Sequence, residues 1–323
     1  MEATCDLPLP AAARRRVYSA DDLCRAMKGA GDAPSPVDAS GLDRILRRED
    51  ARGEIEVQAA VAWSGLAELT GNAFLPGTVG DSVARNVTGP DGQPVVGHVR
   101  AITIVTADGE LRRASRTQAP ELFRIAVGGF GAIGPFYSVT LDGESLARTA
   151  AAPRESVRLG IEACDEDTGV RLHAVELLVP PTALDEVVTG VRAALEDRRC
   201  RPTHLEARSV LPESETLLCW AHREYVALHV AFRAPRATLG AAAAAAQLRR
   251  SLVDLALAAG GSCAPETLPL LSAAQARGCY PRFAAFLAEQ RRLDPGDRVG
   301  SEWLRGARRV WSDAGCRVRW AAA

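Results

Sequence analysis

The sequence predicts an α+β chain built in two parts, and three observations predict it. Around GFGAIG (Gly129–Gly134) a helix-like stretch precedes the glycines and a strand-like stretch follows them. The first half holds short alternating runs joined by an Asp-Gly turn, the pattern of antiparallel strands. The second half holds longer strand-like runs separated by long helical ones. A chain of 323 residues suits about two domains, and an apolar fraction of 47% is enough to give each a core. The change of character near 143–155 reads as a linker and sets the domains at 1–145 and 146–323.

The elements follow in order. Ser19 caps a helix through Leu23 to Met27. No strand is read before it, and Lys28-Gly-Ala-Gly-Asp32 with a Pro-rich turn comes after it. From Glu54 to Ala62 the apolar residues Ile55, Val57, Ala59 and Val61 share one face, so a half-buried strand is expected. Trp63 to Leu69 reads as a short helix. The stretch from Phe74 to Gly97 is rich in Gly, Pro, Asn and Asp and reads as a long functional loop. Ala101 to Thr106 is a strand that turns at Asp108-Gly109 and returns through Leu111.

Pro120 and Glu121 open a helix that runs into the glycines, and Phe136, Tyr137, Val139 and Leu141 form the strand beyond them. This order excludes a Rossmann reading of G-x-G-x-x-G, which needs a strand before the glycines and a helix after. In the second half, strands are expected at 170–179, 204–210 and 225–232. Helices are expected from Leu184 to Arg198, from Leu239 to Ala259 ahead of Gly260-Gly261, and from Pro281 to Leu293.

Composition narrows the function. A net charge of −1, with 39 basic residues that are all arginine except Lys28, gives no general attraction to nucleic acid or anionic lipid. The eight cysteines form no C-x-x-C pair and the five histidines are isolated, so no metal site is expected. Met1 to Pro10 lacks the make-up of a signal peptide, and the alanine run at 241–246 is too short to span a bilayer. A cytoplasmic protein acting on a small molecule, without nucleic acid or membrane as partner, is the expectation.

Three runs then stand out together. They are Leu75-Pro-Gly-Thr-Val-Gly-Asp-Ser-Val-Ala-Arg-Asn-Val-Thr-Gly89, Gly97-His-Val-Arg-Ala-Ile-Thr-Ile-Val-Thr-Ala-Asp-Gly-Glu110, and Pro120-Glu-Leu-Phe-Arg followed by Gly128-Gly-Phe-Gly-Ala-Ile-Gly134. In this order they resemble the PCMH-type FAD-binding domain of the vanillyl-alcohol-oxidase superfamily. Val37-Asp-Ala-Ser-Gly-Leu-Asp-Arg-Ile-Leu46 and Tyr280-Pro-Arg-Phe with Asp294-Pro are similar to other parts of its sugar and aldonolactone oxidases. The resemblance implies a PCMH-type domain followed by an antiparallel-sheet substrate domain with flanking helices. It implies an FAD-linked oxidoreductase of a CH–OH group in a sugar, polyol or lactone. The alternative is a relative without redox activity that binds a partner or catalyses a non-redox step.

By the same resemblance, Pro76, Gly77, Thr78, Gly80, Asp81, Ser82, Asn86 and Gly89 line the cofactor, and Gly129 and Ile133 meet its adenosine half. Small residues with free backbone N–H groups suit a pyrophosphate. The chain also departs from the pattern. Asp81 replaces the second glycine of a Gly-Gly pair, and Thr88 stands where a histidine would anchor the flavin, so FAD is expected to bind non-covalently. On the substrate side, His204-Leu-Glu-Ala-Arg208 resembles the Glu-x-Arg strand of these oxidases. Glu206 and Arg208 share a strand face. Arg208 is expected to orient substrate and steady negative charge, with Glu206 holding it or polarising a hydroxyl.

Overall fold

The computed structural model describes residues 15–29, 37–67, 75–151, 156–160, 170–235 and 240–316. It is a mixed structure of helices and antiparallel sheets, as the patterning predicts. The first sheet has the order β3-β4-β7-β5-β6, from β3 (Ile45–Glu49), β4 (Glu54–Gln58), β5 (Val99–Val105), β6 (Leu111–Ser115) and β7 (Phe136–Asp142). Ile55 and Val57 are buried as expected, but the strand read over Glu54 to Ala62 ends at Gln58, itself buried, and Ala59 and Val61 are buried in the turn beyond it. The helix α3 (Pro120–Ala126) precedes the glycine turn and β7 follows it.

The glycine turn is explained by close packing. Gly134 has φ +150°, and a Cβ there would overlap the carbonyl oxygen of Val105. The adjacent bond from Val105 N to Pro135 O, 3.1 Å, fastens β5 to the entry of β7.

Several expectations are corrected. A two-residue strand, β1 (Arg15–Arg16), does precede the first helix and pairs in parallel with β2 (Val37–Asp38). Between them lies α1 (Ala20–Lys28), capped as expected by Ser19, whose hydroxyl accepts from Asp22 N. The expected loop at 74–97 contains a helix, α2 (Val79–Arg85), because Thr78 caps it and Gly80 lets it press onto Ala59. A Cβ on Gly80 would lie 2.7 Å from that of Ala59. The expected linker contains α4 (Gly143–Ala151), started by Asp142 Oδ1 accepting from Ser145 N at 3.0 Å. The remainder of the stretch read as Trp63 to Leu69 is a 3₁₀ turn over Trp63–Leu66, with residues 68 and 69 outside the described residues. Most of the Lys28–Asp32 stretch also falls outside them.

The second sheet has the order β12-β9-β11-β10-β8, all antiparallel. Its strands are β8 (Ser156–Gly160), β9 (Val170–Val179), β10 (Arg201–Val210), β11 (Tyr225–Pro235) and β12 (Ser262–Cys263). Register sorts its faces. Val175, Val230 and Leu205 form one row and Leu177, Leu228 and Ala207 another, and this apolar face is buried. The helix α6 (Ala241–Ala258) packs against β9 and β11 and is itself met by α5 (Leu184–Asp197). The opposite face carries the row Glu176, His229, Glu206 and, one step along, Arg208 beside Ala227.

Three helices complete the described chain: α7 (Ala273–Cys279), α8 (Phe283–Leu293) and α9 (Glu302–Cys316). The first and last of these were not read from the sequence. Trp303 on α9 stacks on Phe130 of the glycine turn, with centroids 4.3 Å apart. One buried cluster runs from the first sheet to the second. No helix among the described residues is long and apolar enough to cross a membrane.

Candidate ligand cleft

The polar face of the second sheet is partly covered, its paired side chains keeping 20–37% of their surface exposed. The turn that ends α2 lies over it. Asn86 adopts a left-handed conformation there (φ 49°), closing the helix, and its carbonyl accepts from the indole Nε1 of Trp220 at 3.2 Å. Leu217 N donates to Arg124 O, and Leu211 N to Gly92 O, both at 2.7 Å, so the 211–221 segment is bonded to the first sheet's side. Between turn and sheet is a cavity of about 280 Å³. Arg85, Asn86 and Thr88 line one wall and Glu176, Arg208 and His229 the other. Ala264, Pro265, Glu266 and Thr267 close an end. That segment is fixed by Ala264 N donating to Glu176 O at 2.8 Å and Trp303 Nε1 donating to Pro265 O at 2.8 Å.

The charges inside are arranged in pairs. Arg208 donates from Nη2 to Glu176 Oε2 at 2.8 Å. To do so it reaches across β11, where Ala227 is small enough to let it pass. Glu206 instead bonds His204, Nε2 to Oε2 at 2.7 Å. The expectation that Glu206 holds Arg208 is therefore corrected: Glu176 does. Arg85 pairs with Asp81 and lies 3.7 Å from Glu266. Glu266 keeps 42% of its side chain exposed, yet the concave wall surrounds it with protein, and this burial raises its pKa.

Three residues that line this cleft carry a buried polar atom with no partner: Arg85 Nε, Asn86 Nδ2 and Thr88 Oγ1. Asn86 is fully buried and Thr88 is 2% exposed. Asn86 Oδ1 is engaged, accepting from Val96 N at 2.9 Å, which fixes the amide with its donor side free. Unpaired buried donors cost about 1–3 kcal/mol each, so a ligand acceptor placed against them gains more than it would in water.

Most of the other nominated positions are engaged within the protein. Pro76 and Gly77 are exposed. Thr78 caps α2, and Ser82 Oγ accepts from Trp63 Nε1 at 2.9 Å. The N–H groups of Gly80, Ser82 and Gly89 donate to Ala59, Thr78 and Gln93 carbonyls at 2.8, 3.1 and 2.7 Å. They are not the free N–H row expected for an anion. Asp81 is exposed. Gly129 N donates to Ala126 O, and Ile133 is 2% exposed, inside the core. Of the nominated residues, Asn86 and Arg208 line the cleft; Glu206 stands on the same sheet face, two residues from Arg208 on β10, outside the lining.

Glu176, His229, Trp220 and Glu266 were missed. The first two sit in apolar runs, AVELLV and ALHVAF, where a lone polar residue at an alternating position was the available signal. A larger groove of about 810 Å³ lies between the 106–122 and 292–298 segments. Its arginines are engaged, Arg112 with Asp108 and Arg298 with Met27 O, and no nominated residue lines it. Ser145 Oγ hydrogen-bonds His98 Nδ1 at 2.8 Å and Asp91 Oδ2 lies 3.4 Å from His98 Nε2, but His98 is wholly buried, so this contact ties α4 to the 91–98 segment.

Burial lowers the pKa of His229 below its ordinary value of 6.5. The unfolded chain therefore takes up this proton first as pH falls. The stability that neutral His229 contributes is present above pH 6.5 and is lost as pH falls from there through the folded value. The variant His229→Gln is expected to lose less melting temperature than the parent between about pH 7.5 and about pH 5.5.

Comparison of the chain with protein-family models and with curated proteins finds no match in either. The superfamily resemblance rests on the ordered motifs alone.

Proposed function

We propose that the chain is a flavin-linked oxidoreductase on a PCMH-type scaffold, oxidising a CH–OH group of a sugar, polyol or lactone in the cytoplasm. One observation carries this reading. Two stretches far apart in sequence, 76–89 expected for cofactor and 204–208 for substrate, each contribute to one cleft through Asn86 and Arg208.

The cofactor's ring end fits the residues present. Asn86 and Thr88 line the wall with a buried Nδ2 and Oγ1 that have no partner, and a flavin ring carries acceptors on one edge. The phosphate end does not fit the positions named for it, since their N–H groups are engaged. When bound, a flavin would supply the two-electron oxidation. Arg208, aimed by Glu176, would orient a substrate hydroxyl and steady negative charge. His229, neutral at pH 7, offers a ring nitrogen to accept a hydroxyl proton, with His204 edge-on at 5.6 Å.

A second reading keeps the cleft without redox chemistry, as a binding or non-redox protein. The engaged N–H groups of Gly80, Ser82 and Gly89 favour it. Flavin titration of the purified protein separates the two. Quenched flavin fluorescence, with all flavin left in the supernatant after acid precipitation, supports the first reading and its non-covalent cofactor. Absence of any binding leaves the second.

Thr88→Val provides a sign test at the same wall. It removes an unpaired buried hydroxyl at nearly constant volume, so the ligand-free protein should gain about 1 kcal/mol. Ligand affinity should fall about fivefold. A variant that gains no stability and binds unchanged would place Thr88 outside the site.

A further inference from the structure

We propose that the cleft takes a compact, ring-sized ligand and draws little affinity from a dinucleotide arm; this deepens the flavin reading above and rests on it. Four observations point the same way. The cavity, at about 280 Å³, is just below the roughly 300–1,000 Å³ of small-molecule sites. That is room for a fused ring and a short chain. Asn86 and Thr88, whose buried Nδ2 and Oγ1 are without a partner, are among its lining residues, as is Arg85, whose Nε is likewise unpartnered.

The arm finds little to hold it among the described residues nominated for it. Gly80, Ser82 and Gly89 have their N–H groups on protein carbonyls. Gly129 and Ile133, nominated for the adenosine half, are buried in the protein's own packing. Charge opposes the arm as well. A pyrophosphate carries about two negative charges. At this rim it would meet Asp81 and Glu266, with Arg85 already shared between them. A neutral ring meets no such repulsion.

The experiment is parallel titration of the full-length protein with riboflavin, FMN and FAD at one ionic strength, following flavin fluorescence. Riboflavin and FAD are expected to bind within about threefold of each other, with FMN no tighter than riboflavin. Thr88→Val should weaken riboflavin and FAD by the same factor. FAD binding more than about tenfold tighter than riboflavin would overturn the inference and leave the flavin reading standing. A Thr88→Val variant that leaves riboflavin affinity unchanged would also overturn it, because the ring would then lie elsewhere. Failure of all three flavins to bind removes both the inference and the flavin reading.

Discussion

Gly134→Ala is expected to destabilise the protein by about 3 kcal/mol or more, and to yield little soluble protein. The residue sits at φ +150°, a conformation that L side chains rarely adopt, and the space its Cβ needs is filled by the Val105 carbonyl. Backbone cannot rotate aside as a side chain can, so relief requires β5 and β7 to part. Those strands are paired at the centre of the first sheet, with Ile102, Ile104 and Val139 buried. Gly131→Ala is the control. Its φ is also positive, +71°, but nothing lies within 4 Å of a Cβ there. It should cost only the left-handed strain, about 1 kcal/mol. Denaturant unfolding of both variants checks the difference, and equal losses would show that the close approach to Val105 does not matter.

The largest expected effect on function is that of Arg208→Ala. Anaerobic bleaching of bound flavin by substrate should slow about a hundredfold or more, the scale of losing one preorganised charge-stabilising donor. Stability should change little. The pair with Glu176 is 37% and 20% exposed, so solvent screens it and its loss is worth about 1 kcal/mol or less. Melting should fall by about 2 °C. A large drop in melting temperature with proportionate loss of bleaching would mark a structural pair whose glutamate was left uncompensated. Unchanged bleaching would mark a solvated pair with no role in the reaction.

Much of the fold was legible because strand and helix periods were clean. Strand β9 was read with its observed ends, and Ser19 and the Asp108-Gly109 turn announced their elements through side-chain and backbone chemistry. What escaped was structure owed to tertiary contact. The helix α2 has a glycine in its first turn and a composition typical of loops; it exists because Thr78 caps it and Ala59 receives it. The edge strand β3 shows no alternation, since four of its five residues are exposed. In the cleft, Arg208 was readable as a candidate, but its partner was not. Glu176 is two strands away, and only the order β9-β11-β10, with Ala227 between, brings them together. The orphaned amide of Asn86 was equally hidden, because it depends on Val96 N taking the oxygen.

The central claim is that the 85–88 turn and the polar face of the second sheet hold one ligand between them. Hydrogen–deuterium exchange with and without saturating riboflavin tests it most directly. Added protection is predicted together at peptides covering 84–89, 204–210 and 264–267, with the groove at 292–298 unchanged. Protection at the groove, or at one wall of the cleft without the other, would contradict it.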